Sequence, residues 1–168
     1  MLLKEDQFKV LKALVEATTR MDINMFAGKV NLTPDQTIHV IQELAKEGFL
    51  QKVGGGYGVT KKGKAALKAF TPVPKDTGFQ FYYGINQPSN FTAESLEQFY
   101  RLIKEISAES LEFHFYRGDF GNWLKEACKD PELASAFEGV KAADLKGEEL
   151  RKELLKLLDA KYGMEVLL

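Results

Sequence analysis

Four polar residues lie close together in the second half of the chain: Glu112, His114, Arg117 and Asp119. A histidine beside an acid can serve as a general base, provided the fold supplies a positioned partner and a cleft. The same residues also suit a structural role. His114 and Arg117 then hydrogen-bond and pair within a polar part of the core, while Asp119 caps a helix. The structural role is the expected one, and no catalytic residue is expected. The single cysteine, Cys128, has no second histidine within sequence reach and reads as a small core hydrophobe. Two distant histidines and one cysteine do not make a zinc site, and there is no phosphate loop or G-x-G-x-x-G, so neither metal nor cofactor is expected. The aromatic residues Phe79, Phe81, Tyr82, Tyr83, Phe113, Tyr116 and Trp123 either line a pocket for a small effector or form ordinary core.

The elements that must position these residues are mostly helices. Phe79 to Tyr83 alternates and reads as a short strand ending at Gly84, followed by a loop over Asn86 to Asn90. Thr92 opens a helix whose buried face carries Leu96, Phe99, Tyr100, Leu102, Ile103 and Ile106. Between Ser110 and Arg117, Leu111, Phe113 and Phe115 fit a strand, whereas Leu111, His114 and Phe115 fit a helix, and the two periods do not separate over so short a run. Gly118 closes that element. Asp119 caps the next helix, and Asp130-Pro131-Glu132 starts another by the cap-then-proline rule. Gly147 to Tyr162 carries Leu150, Leu154, Leu157 and Leu158 in one stripe, which closes this core or forms a dimer seam. From about Gly78 to Tyr162 the chain is similar to an archaeal and bacterial domain family of unknown function. The likeness rests on F-x-F-Y-x-G-I, S-L-E-x-F and the block S-L-E-F-H-F-Y-R-G-D-F-x-x-W-L. It implies a mostly helical domain, helix over 110–117, and no activity to carry over.

The first half reads more clearly. Lys4 to Ala17 places Phe8, Leu11, Leu14 and Val15 on one face. Asp22 or Asn24 caps a short helix that Asn31 ends. Thr33-Pro34-Asp35-Gln36 combines a cap, a proline at the first helical position and a capping-box partner. The helix that follows runs to Glu47 and Gly48, with Ile38, Ile41, Leu44 and Ala45 as its core side. Phe49 to Val53, three glycines and Tyr57 to Val59 form a hairpin, after which Thr60 caps a last helix through Phe70. This order, with E-L-x-x-x-G-F-L and G-Y-G-V-T-x-x-G-x-x-A-L, resembles the winged helix-turn-helix domain of transcription regulators. The resemblance implies double-stranded DNA as partner and a homodimer on two half-sites. The core side of Ile38, Ile41, Leu44 and Ala45 leaves Gln36, Thr37, His39, Val40, Glu43 and Lys46 on the outer side of the second helix of the motif. There Gln36 and Thr37 could read bases, with Lys29, Lys46, Lys52, Lys61 and Lys62 as candidate phosphate contacts. No arginine lies between Met21 and Arg101, and Asp35, Glu43 and Glu47 oppose Lys46, so a protein-binding adaptor is the alternative.

Composition agrees with this division. The net charge of −1 separates into +4 over residues 1–70 and −5 over 71–168. Thr71-Pro72-Val73-Pro74 reads as a stiff connector, so the expected plan is a winged helix at 1–70, a linker at 71–77 and a helical domain at 78–168. The fold class is mainly α (α+β). The second domain is expected to dimerise, sense a small molecule or contact a protein effector. One cysteine, no apolar run of membrane-span length and a charged first segment point to a cytoplasmic protein without a membrane partner.

Overall fold

The computed structural model describes residues 3–167 and divides into two compact units, the first ending at Phe70 and the second running from Thr71 to Glu165. The first contains α1 (Glu5–Glu16), α2 (Ile23–Val30), α3 (Pro34–Lys46), β1 (Leu50–Val53), β2 (Gly56–Val59) and α4 (Lys61–Phe70). Three helices, a hairpin and a fourth helix resemble the winged-helix arrangement. The helix ends follow local chemistry. Asp22 accepts from the Met25 amide, and Thr33 and Gln36 close a reciprocal capping box. Thr60 does two tasks: its hydroxyl accepts from the Gly63 amide and donates to the Gly48 carbonyl, tying α4 to the end of α3. Val10, Leu11, Phe26, Val40, Leu44, Phe49, Leu50 and Ala66 form the core.

Two helices are rotated relative to the sequence expectation. In α3 the buried residues are Thr37, Val40 and Leu44, and Ile38 is 41% exposed. Thr37 can be buried because its hydroxyl donates to the Thr33 carbonyl at 2.8 Å, which satisfies it inside the helix. In α1, Gln7, Val10, Leu11 and Ala13 are buried while Val15 is exposed. Gln7 is buried because its amide is satisfied too, accepting from the Lys4 amide and donating to Glu43.

The second unit contains β3 (Phe79–Gly84), β4 (Gln87–Ala93), α5 (Leu96–Glu105), α6 (Ala108–Arg117), α7 (Asp119–Glu126), α8 (Pro131–Val140), a 3₁₀ turn (Lys141–Ala143) and α9 (Gly147–Tyr162), and the short α10 (Met164–Leu167) begins within it and runs past its end at Glu165. The expected loop and helix start over 86–92 are replaced by β4, which pairs antiparallel with β3 through a slipped register. Thr92 lies in that strand, and Ser95 caps α5 by accepting from the Gln98 amide. Residues 110–117 are helical. Gly118, in the left-handed region at φ +82°, ends α6 and also precedes α7, so Asp119 is the first residue of α7 rather than its cap. Leu150, Leu154 and Leu158 are fully buried, so the leucine stripe closes this unit's own core. Phe79, Phe81, Phe99, Phe120, Trp123 and Phe137 pack ring to ring in that core, with centroids such as Phe79–Phe81 at 4.8 Å. Segment 71–77 is tied to this unit: the Val73 amide donates to the Glu94 carbonyl and the Trp123 indole N–H to the Thr77 carbonyl.

Candidate functional site

The outward side of α3 follows from which side is buried. With Thr37, Val40 and Leu44 inward, the helical repeat turns Asp35, His39, Gln42 and Lys46 outward. Gln36 is exposed, but its side-chain oxygen accepts from the Thr33 amide at 3.0 Å, so reading a base would cost it the cap. Thr37 is buried and cannot read one. His39 lies 3.2 Å from Glu43, which also meets Lys4. Lys29, Lys46, Lys52 and Lys61 are exposed. Lys62 is committed locally: its ammonium donates to the Glu47 carbonyl at 2.7 Å and lies over the Phe49 ring, neutralising the negative end of α3.

Two residues that the sequence did not single out join this face. Gln42 lies on the outward stripe, which became visible only once the phase of α3 was known. Arg20, in the loop between α1 and α2, reaches the tip of the β1–β2 hairpin. A Cβ added at Gly55 would lie 2.8 Å from its Nη2, and one at Gly56 would lie 3.5 Å away. The glycines therefore leave the space that the guanidinium occupies. A groove of about 790 Å³ opens beside this contact, lined by Arg20, Met21, Ile38, Ile41, Val53 and Tyr57 among others.

In the second unit the chemistry-bearing cluster is real but engaged. The Tyr82 amide donates to His114 Nε2 at 2.7 Å, so the ring proton is inferred to lie on Nδ1, which donates to Asp119 at 2.9 Å. Ser110, one turn earlier on α6, donates to the Tyr82 carbonyl at 2.6 Å. Together Ser110 and His114 satisfy both peptide groups of Tyr82 on the β3 edge, as a third strand would. Arg117 lies 3.4 Å from Asp119 and over the Phe113 ring. Burial pushes the His114 imidazole below its ordinary value, against the hydrogen bond and charge of Asp119, which work to raise it. Its acceptor nitrogen is occupied by a backbone amide, so it is not free to take a proton from a substrate. A depression of about 490 Å³ lies over the cluster, with Tyr82, Phe113, Arg117 and Asn122 in its wall. Of the aromatic residues, Phe79, Phe81 and Trp123 are core, Tyr83 is exposed, and the Tyr116 hydroxyl donates to the Leu145 carbonyl.

Among the described residues no three His, Cys, Asp or Glu are grouped to hold a metal ion, and no helix is long and apolar enough to cross a membrane. Fold and site together define a mainly helical α+β protein in which a small helical unit built on a β-hairpin follows a winged-helix-like unit. A family model described as a family of unknown function, DUF5752, matches residues 78–167, and the chain belongs to that family. No curated protein and no solved structure matches the chain.

Proposed function

We propose that the protein is a DNA-binding transcriptional regulator whose first unit contacts double-stranded DNA. In this reading the second unit dimerises, senses a ligand or contacts a partner. The observation that carries the proposal is the arginine held at the hairpin tip, beside a helix that turns His39, Gln42 and Lys46 outward. A guanidinium on a glycine tip suits a narrow minor groove, and glutamine can bond adenine in two places. Exposed Lys29, Lys46, Lys52 and Lys61 supply phosphate contacts. In the second unit, the exposed Tyr83, Ile85 and Phe91 of the β3–β4 hairpin offer a contact surface.

The test is fluorescence anisotropy of a labelled random-sequence duplex across a salt series. Binding should weaken steeply with salt, and each lost phosphate contact should flatten the log–log slope by about 0.9. Arg20→Ala and the pair Lys46→Glu with Lys52→Glu should each weaken it. Absence of binding at low salt would overturn the proposal and favour the protein-binding adaptor, a reading supported by the exposed Ile38 beside the α3 outer face.

A further inference from the structure

We infer that the groove between α3 and the β1–β2 hairpin binds a small amphipathic monoanion, an aryl or medium-chain acyl carboxylate. Its apolar body would lie on Ile38, Ile41, Met21 and Val53, and its carboxylate on Arg20.

Three observations converge on that chemistry. First, the walls are apolar and open: Ile38 is 41% and Val53 57% exposed, apolar surface that a ligand's hydrocarbon body would take out of water. Second, the volume of about 790 Å³ falls in the range that holds a compact organic ligand. Third, Arg20 is the one charged residue in the lining, and no aspartate or glutamate lines the groove to neutralise it. A single guanidinium at the edge of an apolar trough is complementary to one anionic head on an apolar body, and its planar fork meets a carboxylate with two hydrogen bonds. A dianion would find no second cation there. The glycine tip also matters. Gly55 has no side chain, so Arg20 lies across the hairpin backbone at the groove's end instead of being displaced from it.

The site rests on the geometry of the first unit alone. One consequence rests on the proposed DNA reading: the ligand's carboxylate would occupy the arginine assigned to the minor groove, so ligand and DNA would compete, each weakening the other by the same factor.

The test uses the full-length protein and two fluorescent probes, 8-anilinonaphthalene-1-sulfonate and its uncharged relative N-phenyl-1-naphthylamine, with decanoate as competitor. Far-ultraviolet circular dichroism and a cooperative thermal transition confirm that each variant is folded. The expected result is saturable binding of the sulfonate at one site, displaced by decanoate. Arg20→Met, which keeps the apolar stem, should weaken the sulfonate about tenfold while leaving the uncharged probe within about twofold. Val53→Asp should weaken both probes. If Arg20→Met and Val53→Asp leave binding unchanged, or if the folded protein binds neither probe, the inference is overturned. Concentration-dependent self-association that Val53→Asp abolishes, without probe binding, would also overturn it by making the groove a contact between copies. Probe binding without any DNA binding would leave the groove standing and remove the regulator reading.

Discussion

The chain's two histidines each meet a carboxylate, His39 with Glu43 at 3.2 Å within α3 and His114 with Asp119 at 2.9 Å across the α6–α7 junction. Their surroundings separate them. The His39 side chain is 72% exposed, whereas that of His114 is 4% exposed, with its second nitrogen bonded to the Tyr82 amide. Water competes freely for the first pair and reaches the second only from the Asp119 side, which is 30% exposed, so the same two functional groups are nearly idle in one unit and structural in the other. The contrast extends further. In the second unit the conspicuous polar residues are used up internally, holding a strand edge and a helix start. In the first, several of the exposed groups have no such task. Chemistry that stands out in a sequence is therefore a poor guide to which groups are available.

The largest expected effect tests whether the polar groups of the second unit are structural. Asp130 is 2% exposed and accepts from the Leu133 amide, the Lys161 ammonium at 2.5 Å and the Tyr162 hydroxyl. Burial alone would raise its pKa, but those hydrogen bonds outweigh burial and hold the carboxyl below its usual range. Asp130→Ala should cost about 4 kcal/mol, read as a fall in the urea midpoint at unchanged slope. Because the folded value is depressed, this stabilisation is present above the ordinary 3.8 and is lost as pH falls through the lower folded value. An unchanged midpoint would break the contrast between the units.

Next comes His114→Ala, expected to cost about 3 kcal/mol, since it empties core volume and leaves the Tyr82 amide unpaired. The pH dependence has a definite sign. Burial lowers the folded value, so as pH falls below the ordinary 6.5 the unfolded chain binds a proton before the native state does. Native stability should hold level above that value and decline beneath it, and the decline should be absent in the alanine variant. Full stability of the variant would instead free His114 for a chemical role.

What was legible in the sequence was local. Asp22, the Thr33–Gln36 box, Asp130-Pro131 and the Gly118 stop were readable because a cap needs only a few neighbouring residues. The phases of α1 and α3 were not legible. Gln7 and Thr37 are buried because their polar atoms are satisfied, one through contact with Glu43 of another helix, and a count of apolar residues treats both as surface. β4 was hidden as well: Gln87-Pro88-Ser89-Asn90 has turn composition, and its strand geometry comes from pairing with β3. A polar cluster of His114, Arg117 and Asp119 was expected, but with His114 paired to Arg117 and Asp119 as a cap; instead both His114 and Arg117 meet Asp119. The strand edge that His114 supports depends on Tyr82, thirty-two positions earlier, and no short window contains both. Arg20 was missed for the same reason, because its place at Gly55 is set by tertiary structure.

The first unit also has a tightly packed position, made by backbone rather than charge. A Cβ at Gly63 would lie 2.3 Å from the Phe49 carbonyl oxygen and 2.8 Å from a Val59 methyl. The first turn of α4 is pressed directly onto the end of α3 and the hairpin. Gly63→Ala should therefore destabilise by about 2 kcal/mol, although alanine is the better helix former by about 1 kcal/mol. A stabilised variant, seen as a raised thermal midpoint, would mean that this contact is looser than its geometry.

The smallest effect closes the comparison between the histidines. His39→Ala removes an exposed side chain whose carboxylate partner keeps Lys4 nearby, so stability should change by less than about 0.5 kcal/mol. Its value lies in being read beside His114→Ala under one protocol. If burial decides what a histidine–carboxylate pair contributes, the two midpoints must diverge while the pairing distances stay alike. A double change of His39 and Glu43 should then show coupling near zero, whereas His114 with Asp119 should couple by about 1 kcal/mol or more. Equal coupling at both sites would mean that pairing geometry, rather than exclusion of water, sets the strength of these contacts.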